Sequence, residues 1–149
     1  MHTAYLSLGA NIGDRRATML RAIDMIAQRC GTVARQSSFI ETEPWGFVSS
    51  NRFLNAAVML LTELTPHQLL RLTQQIEREL GRTTKTNDVK SEELRVNSEP
   101  HIYGYCDRPI DIDILTYDDL RIDTPDLTLP HPRMSQRDFV MIPLSEIMR

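Results

Sequence analysis

Residues 107–115 read DRPIDIDIL, and the alternation of Ile110, Ile112 and Ile114 with Asp111 and Asp113 governs how the rest of the chain is understood. In a β-strand, side chains two apart share a face. The isoleucines therefore line one side of the strand and both carboxylates the other. Carboxylates held roughly 7 Å apart on a strand face repel unless positive charge lies between them. On these residues alone, two readings stay open. One is a half-buried strand with a solvated acidic face; the other is a divalent-metal site.

Outward from this strand, hydrophobic period and capping signals divide the chain. Residues 4–9, AYLSLG, alternate as a strand. ANIGD (10–14) is a turn with two N-cap candidates. It leads into a helix carrying Met19, Ile23, Ile26 and Cys30 on one face, with Gly31 as the stop. Residues 33–42 read as one strand, PWGF (44–47) breaks regular structure, and 53–64 read as another strand. Thr65, Pro66 and Gln68 form a helix start with a capping box. Leu69, Leu72, Ile76 and Leu80 supply that helix's apolar face, and Gly81 is expected to end it. From Arg82 to Tyr105 no period is sustained. A loop of that length inside a compact domain is a functional lid or a disordered insert. After the IDIDILTY strand, DDLRI turns back and LTLPHPRM is a strand end broken by proline. SQRDFVMIPLSEI (135–147) predicts a helical turn that stops before Pro143. Two helices interleaved with hairpin-connected strands predict a split βαβ, ferredoxin-like α+β sandwich in one domain, 1–149. Helices on one sheet face would leave the other available for a site.

Composition narrows the function classes. The chain has 149 residues, 41% hydrophobic and 25% charged, ordinary for a globular domain. A formal charge of −3 gives no reason to expect nucleic acid or an anionic membrane as a partner. Cys30 and Cys106 make neither a metal spacing nor a disulfide framework, so a reducing cytoplasm is the expected compartment. MHTAYLSLGANIGD has no signal-peptide pattern, and the apolar run AAVMLL (56–61) is too short to span a bilayer. The expected partners are small molecules, and a monomer suffices for them. Gly9 and Gly13 fit neither a P-loop nor a dinucleotide fingerprint, so any nucleotide must be held by side-chain cations. Arg108, His131 and Arg137 are candidates for phosphate if the fold gathers them.

Six segments in order, LSLGANIGD (6–14), SSFIETEPWG (37–46), FLNAAV (53–58), IERELGR (76–82), DRPIDIDIL (107–115) and LPHPRMSQRDFVMIPL (129–144), resemble the successive motifs of the 6-hydroxymethyl-7,8-dihydropterin pyrophosphokinase family. The resemblance implies transfer of a diphosphate from ATP, the co-substrate, to the pterin's hydroxymethyl group, with release of AMP, in folate biosynthesis. It implies two Mg²⁺ ions on Asp111 and Asp113, with Arg82 and Arg108 joining those aspartates as catalytic residues. For the pterin it implies hydrogen bonds from Thr42 and Asn55, a sandwich between Phe53 and Phe139, and cover from Pro44 and Trp45. For ATP it implies Gln74, Glu77, Arg82, Lys85, Arg108, Ile114, Thr128, His131 and Arg137, with a mobile lid over 83–106. Read without the family, both phenylalanines fit a core, Gln74 and Glu77 a solvated helix face, and His131 an exposed turn.

Departures from the family pattern are Tyr105, Cys106 and Asp107 just before Arg108, and Thr84 in the lid. They leave two other functions in view. One is a ligand-binding module without catalysis; the other is a metal-dependent phosphohydrolase that ignores the pterin.

Overall fold

The computed structural model describes residues 1–42, 53–82, 110–132 and 134–148, with Thr42 and Arg82 described through the backbone only. The elements are β1 (His2–Ala10), α1 (Arg15–Arg29), β2 (Thr32–Gln36), β3 (Ile40–Thr42), β4 (Phe53–Thr62), α2 (Pro66–Arg82), β5 (Asp111–Tyr117), β6 (Ile122–Thr124), β7 (Leu127–Leu129) and α3 (Asp138–Ile147). The main sheet is antiparallel, in the order β2-β4-β1-β5, with β3 also on β4. Two split βαβ units, β1-α1-β2 and β4-α2-β5, interlock in that order. This is the expected ferredoxin-like arrangement.

The helix starts follow from local hydrogen bonding. Asp14 caps α1 by accepting from the Ala17 amide at 3.2 Å. At α2 the capping box closes in both directions: the Gln68 amide donates to Thr65 Oγ1 at 3.2 Å, and the Thr65 amide donates to Gln68 Oε1 at 2.9 Å. Two helix ends differ from expectation. Helix α2 runs through Gly81 to Arg82, because a glycine inside a helix costs only about 1 kcal/mol. Helix α3 runs through Pro143, where a stop was predicted. There Val140, Pro143, Leu144 and Ile147 form one buried stripe, so burial of the proline ring offsets the lost backbone bond.

The 33–42 segment is two strands, β2 and β3. Around the break between them, the Ser37 amide donates to the Ala57 carbonyl at 2.9 Å and Ser37 Oγ accepts from the Ala57 amide at 2.8 Å. Glu146 of α3 accepts from both the amide and the hydroxyl of Ser38, at 2.9 and 2.7 Å. These side-chain bonds hold the chain where the ladder is interrupted.

Each sheet face has its own core. Helices α1 and α2 cover one, packing Met19, Ile23, Ile26, Leu69 and Ile76 on Leu6, Leu8, Val58, Leu60, Ile112 and Ile114. Arg29 joins the two helices by donating from Nη1 and Nη2 to the Glu79 carboxylate, at 2.9 and 3.0 Å. The other face carries a smaller cluster of Ala57, Leu115, Val140, Leu144 and Ile147, with Tyr5, Met59 and Phe139 against it. Helix α3 thus closes part of the face that was expected to stay open. Strands β6 and β7 form a separate hairpin.

Candidate active site

The β5 register fixes the face on which each acidic residue stands. Asp111 pairs with Gly9 and Asp113 with Ser7, while Ile112 pairs with Leu8 and Ile114 with Leu6. Ile112 and Ile114 are buried in the helix-facing core, and both aspartates are half-buried on the opposite face. Further along, the register shifts so that Leu6 faces Ile114 while Tyr5 faces Thr116. Leu115 is the extra residue of this bulge. It sends its side chain into the α3-side cluster, and its carbonyl accepts from the His131 amide at 2.8 Å. That bond draws the segment after the cis Leu129–Pro130 peptide alongside the aspartate strand.

Strand β4 supplies the other half of the face. Gly9 pairs with Asp111 on one side and with Asn55 on the other, and Asn55 in turn pairs with Ile40. Asp111, Gly9 and Asn55 therefore form one row across three neighbouring strands. With strands about 4.8 Å apart, the row's ends lie about 10 Å from each other. Phe53 stands two residues before Asn55, on the same face and in register with Thr42. Asn55 is buried and Phe53 half-buried.

Helix α3 and the turn before it contribute Arg137 and Phe139. The guanidinium carbon of Arg137 lies 5.6 Å over the Phe139 ring centroid. This is within the range of a cation–π contact. Arg137 is 6% exposed, and burial pulls its guanidinium below its ordinary value. Phe139 is half-buried and packs against the α3-side cluster.

Glu77 of α2 has an unexpected partner. Its Oε2 accepts from the amide of Ile112, the residue between the two aspartates, at 2.6 Å. Strand β5 is the sheet edge, so its outward amides need acceptors beyond the ladder. A carboxylate from the covering helix meets that need. Glu77 is therefore no solvated helix residue, whereas Gln74, three residues earlier, is exposed. Ile114, another residue of the implied nucleotide set, is buried. Its side chain is in the core, so a nucleotide could reach only its main chain. Thr128 lies in β7, half-buried and in register with Asp123. Pro44, Trp45, Lys85, Arg108 and the 83–106 segment lie outside the described residues, as do the side chains of Thr42 and Arg82.

The donor set fits magnesium. Asp111 and Asp113 offer hard carboxylate oxygens from one strand face. Among the described residues, no group of three or more acidic, imidazole or thiol side chains forms a ready-made cage. Mg²⁺ takes one or two carboxylates and completes its octahedron with waters and phosphate oxygens. Gly9 was not read from the sequence as part of the site. A lone glycine inside a strand pattern was the available signal, since it marks a close approach or a bulge.

Fold and face together define a ferredoxin-like α+β domain with paired strand carboxylates beside an amide and two aromatic rings. The model of the 7,8-dihydro-6-hydroxymethylpterin-pyrophosphokinase (HPPK) family matches residues 5–149. A protein of Porphyromonas gingivalis, named 2-amino-4-hydroxy-6-hydroxymethyldihydropteridine pyrophosphokinase, is 48% identical over 99% of this chain and 91% of its own length. One of the same name in Bacillus subtilis is 43% identical over 97% of this chain and 77% of its own length. The solved HPPK-DHPS of Plasmodium falciparum aligns with a TM-score of 0.70 at 15% identity, covering 99% of this chain and 42% of that one, a likeness of fold. The chain belongs to the 7,8-dihydro-6-hydroxymethylpterin-pyrophosphokinase family.

Proposed function

We propose that this chain carries out the reaction its family is named for, on the face shared by β5, β1 and β4. In it, diphosphate passes from ATP to the hydroxymethyl oxygen of 6-hydroxymethyl-7,8-dihydropterin. That oxygen attacks the β-phosphorus, the bond between β-phosphorus and the bridging oxygen of the α-phosphate breaks, and AMP leaves. The hydroxymethyl proton passes to solvent.

The observation that carries this reading is the row Asp111–Gly9–Asn55. It sets an acidic end and an amide end about 10 Å apart across a small residue. The polar edge of a pterin at Asn55 therefore directs its hydroxymethyl group toward the aspartates. Asn55 reads the donor and acceptor edge of the ring through its carboxamide. Phe53 and Phe139 supply stacking area, and Arg137 meets phosphate with a guanidinium that burial keeps poorly hydrated. His131, held beside β5 by its amide bond to the Leu115 carbonyl, adds a nitrogen donor for phosphate in this reading.

Asp111 and Asp113 would hold two magnesium ions, which when bound neutralise the charge that builds on the transferring phosphates. Catalysis by the chain itself is then positioning and electrostatics, with no nucleophilic Ser or Cys. In this reading Thr42, Pro44 and Trp45 complete the pterin pocket. Gln74, Glu77, Arg82, Lys85, Arg108, Thr128 and the main chain of Ile114 complete the nucleotide site. Residues 83–106 close over ATP as a lid, excluding the water that would compete with transfer. A single domain working as a cytoplasmic monomer suffices.

The test is AMP formation from ATP and Mg²⁺, with and without the pterin. AMP that appears only with pterin supports the transferase. Pterin-independent release of ADP or phosphate would make the chain a hydrolase. Saturable pterin binding without any product would make it a binding module.

A further inference from the structure

We infer that Gly9 is a positioning residue for the pterin end of the site, an inference that rests on the function proposed above. Its missing side chain provides the space in which the Asn55 carboxamide is seated. The backbone of Gly9 does not itself require glycine. The positive-φ glycines among the described residues are Gly13 and Gly31, and Gly9 sits in unbroken register with both neighbouring strands. A glycine in a strand interior weakens the strand and commonly marks a close approach.

The close approach is visible. A Cβ built on Gly9 would lie 3.0 Å from Asn55 Oδ1, 3.6 Å from Phe53 Cδ1 and 3.9 Å from the Leu54 carbonyl oxygen. The last two are ordinary van der Waals distances, so Asn55 is the group that must move. Asn55 is 2% exposed, and its surroundings leave it little room to swing aside. Even alanine at position 9 would therefore push the carboxamide aside by a few tenths of an ångström, while Asp111, on the opposite flank of Gly9, meets no such contact. The effect falls on the pterin end and spares the nucleotide end.

The experiment is a titration with 6-hydroxymethyl-7,8-dihydropterin in the presence of Mg²⁺ and a non-hydrolysable ATP analogue. It is run on the full chain, on Gly9→Ala, on Asn55→Ala and on the double variant. Gly9→Ala is expected to weaken pterin binding by about tenfold or more, as a misplaced positioning group does. Affinity for the ATP analogue should stay within about twofold, a split that general loss of structure would not produce. In the Asn55→Ala background the same substitution should have no further effect, because the atom it strikes is gone.

Unchanged pterin affinity in Gly9→Ala, or an equal loss in both backgrounds, would overturn the inference. Were the unaltered chain to bind no pterin, the proposed function would fail and take this inference with it. If Gly9→Ala does not fold, a folded double variant with the pterin affinity of Asn55→Ala supports the inference. An unfolded double variant refutes it.

Discussion

The two faces of the sheet are built from alternate residues of the same strands, yet they have different chemistry. On the helix-covered face, Leu6, Leu8, Val58, Leu60, Ile112 and Ile114 meet two amphipathic helices in a continuous apolar core. One residue away along each strand, Ser7, Gly9, Asn55, Asp111 and Asp113 stand on the face that a single short helix covers only in part. The same backbone thus serves stability on one side and ligand chemistry on the other. Rigidity on the first face fixes the spacing on the second. A one-residue slip of β5 would exchange the two, which is why register is so strongly specified here.

The contrast predicts opposite outcomes for adjacent residues. Asp113→Ala is expected to lower pterin-dependent AMP formation by about three orders of magnitude. Its urea midpoint should hardly move, because the carboxylate lies outside both apolar clusters. Retained turnover would mean that the acidic face is not where transfer occurs. Ile112→Ala should behave the other way. Loss of a buried isoleucine costs about 2–4 kcal/mol in urea unfolding, with only a modest change in kcat for the molecules that remain folded. A stability close to that of the parent would contradict its place in the helix-facing core.

Glu77→Ala probes where the two faces touch, since this carboxylate on α2 holds the amide between the aspartates. About 1–2 kcal/mol of stability should go with it, accompanied by a higher KM for ATP as the aspartate strand loosens. A raised KM at an unchanged urea midpoint would assign the carboxylate to the nucleotide alone.

The smallest expected effect is a pH dependence in the helix-facing core. Burial pushes the Cys30 thiol up to about 11 from its ordinary 9.0. The folded chain keeps this proton where the unfolded chain has lost it. Its contribution is therefore full below pH 9.0 and is lost as pH rises toward about 11. Urea midpoints across that window should fall less steeply in Cys30→Ala. Equal slopes would place the alkaline sensitivity elsewhere.

Much of this was readable before the fold was known. The alternation from Ile110 to Ile114 divided these residues correctly between the faces. The Thr65–Gln68 capping box formed as its spacing required, and the α1 stripe of Met19, Ile23, Ile26 and Cys30 is buried as predicted. These features depend on residues within a turn or two of each other, so local sequence is enough to specify them. Pro143 and Glu77 were harder. A proline reads as a helix stop until its ring is seen buried in the same stripe as Val140, Leu144 and Ile147. A glutamate on an amphipathic helix reads as solvated until the edge of β5 is placed beneath it.

What the sequence by itself determined was most of the elements, the face assignment along β1 and β5 and, through motif resemblance, the chemistry to look for. The tertiary structure alone decided the row that joins Asp111 to Asn55 through Gly9. It also decided the bulge at Leu115 that anchors His131, and the partial closure of the site face by α3. The physical reason is range. Period and capping act over three or four residues. The row joins Gly9 to Asn55 and Asp111, 46 and 102 positions away, the bulge bond joins Leu115 to His131, and the closure joins Ser38 to Glu146, 108 positions away. Only strand pairing and packing bring such segments within contact.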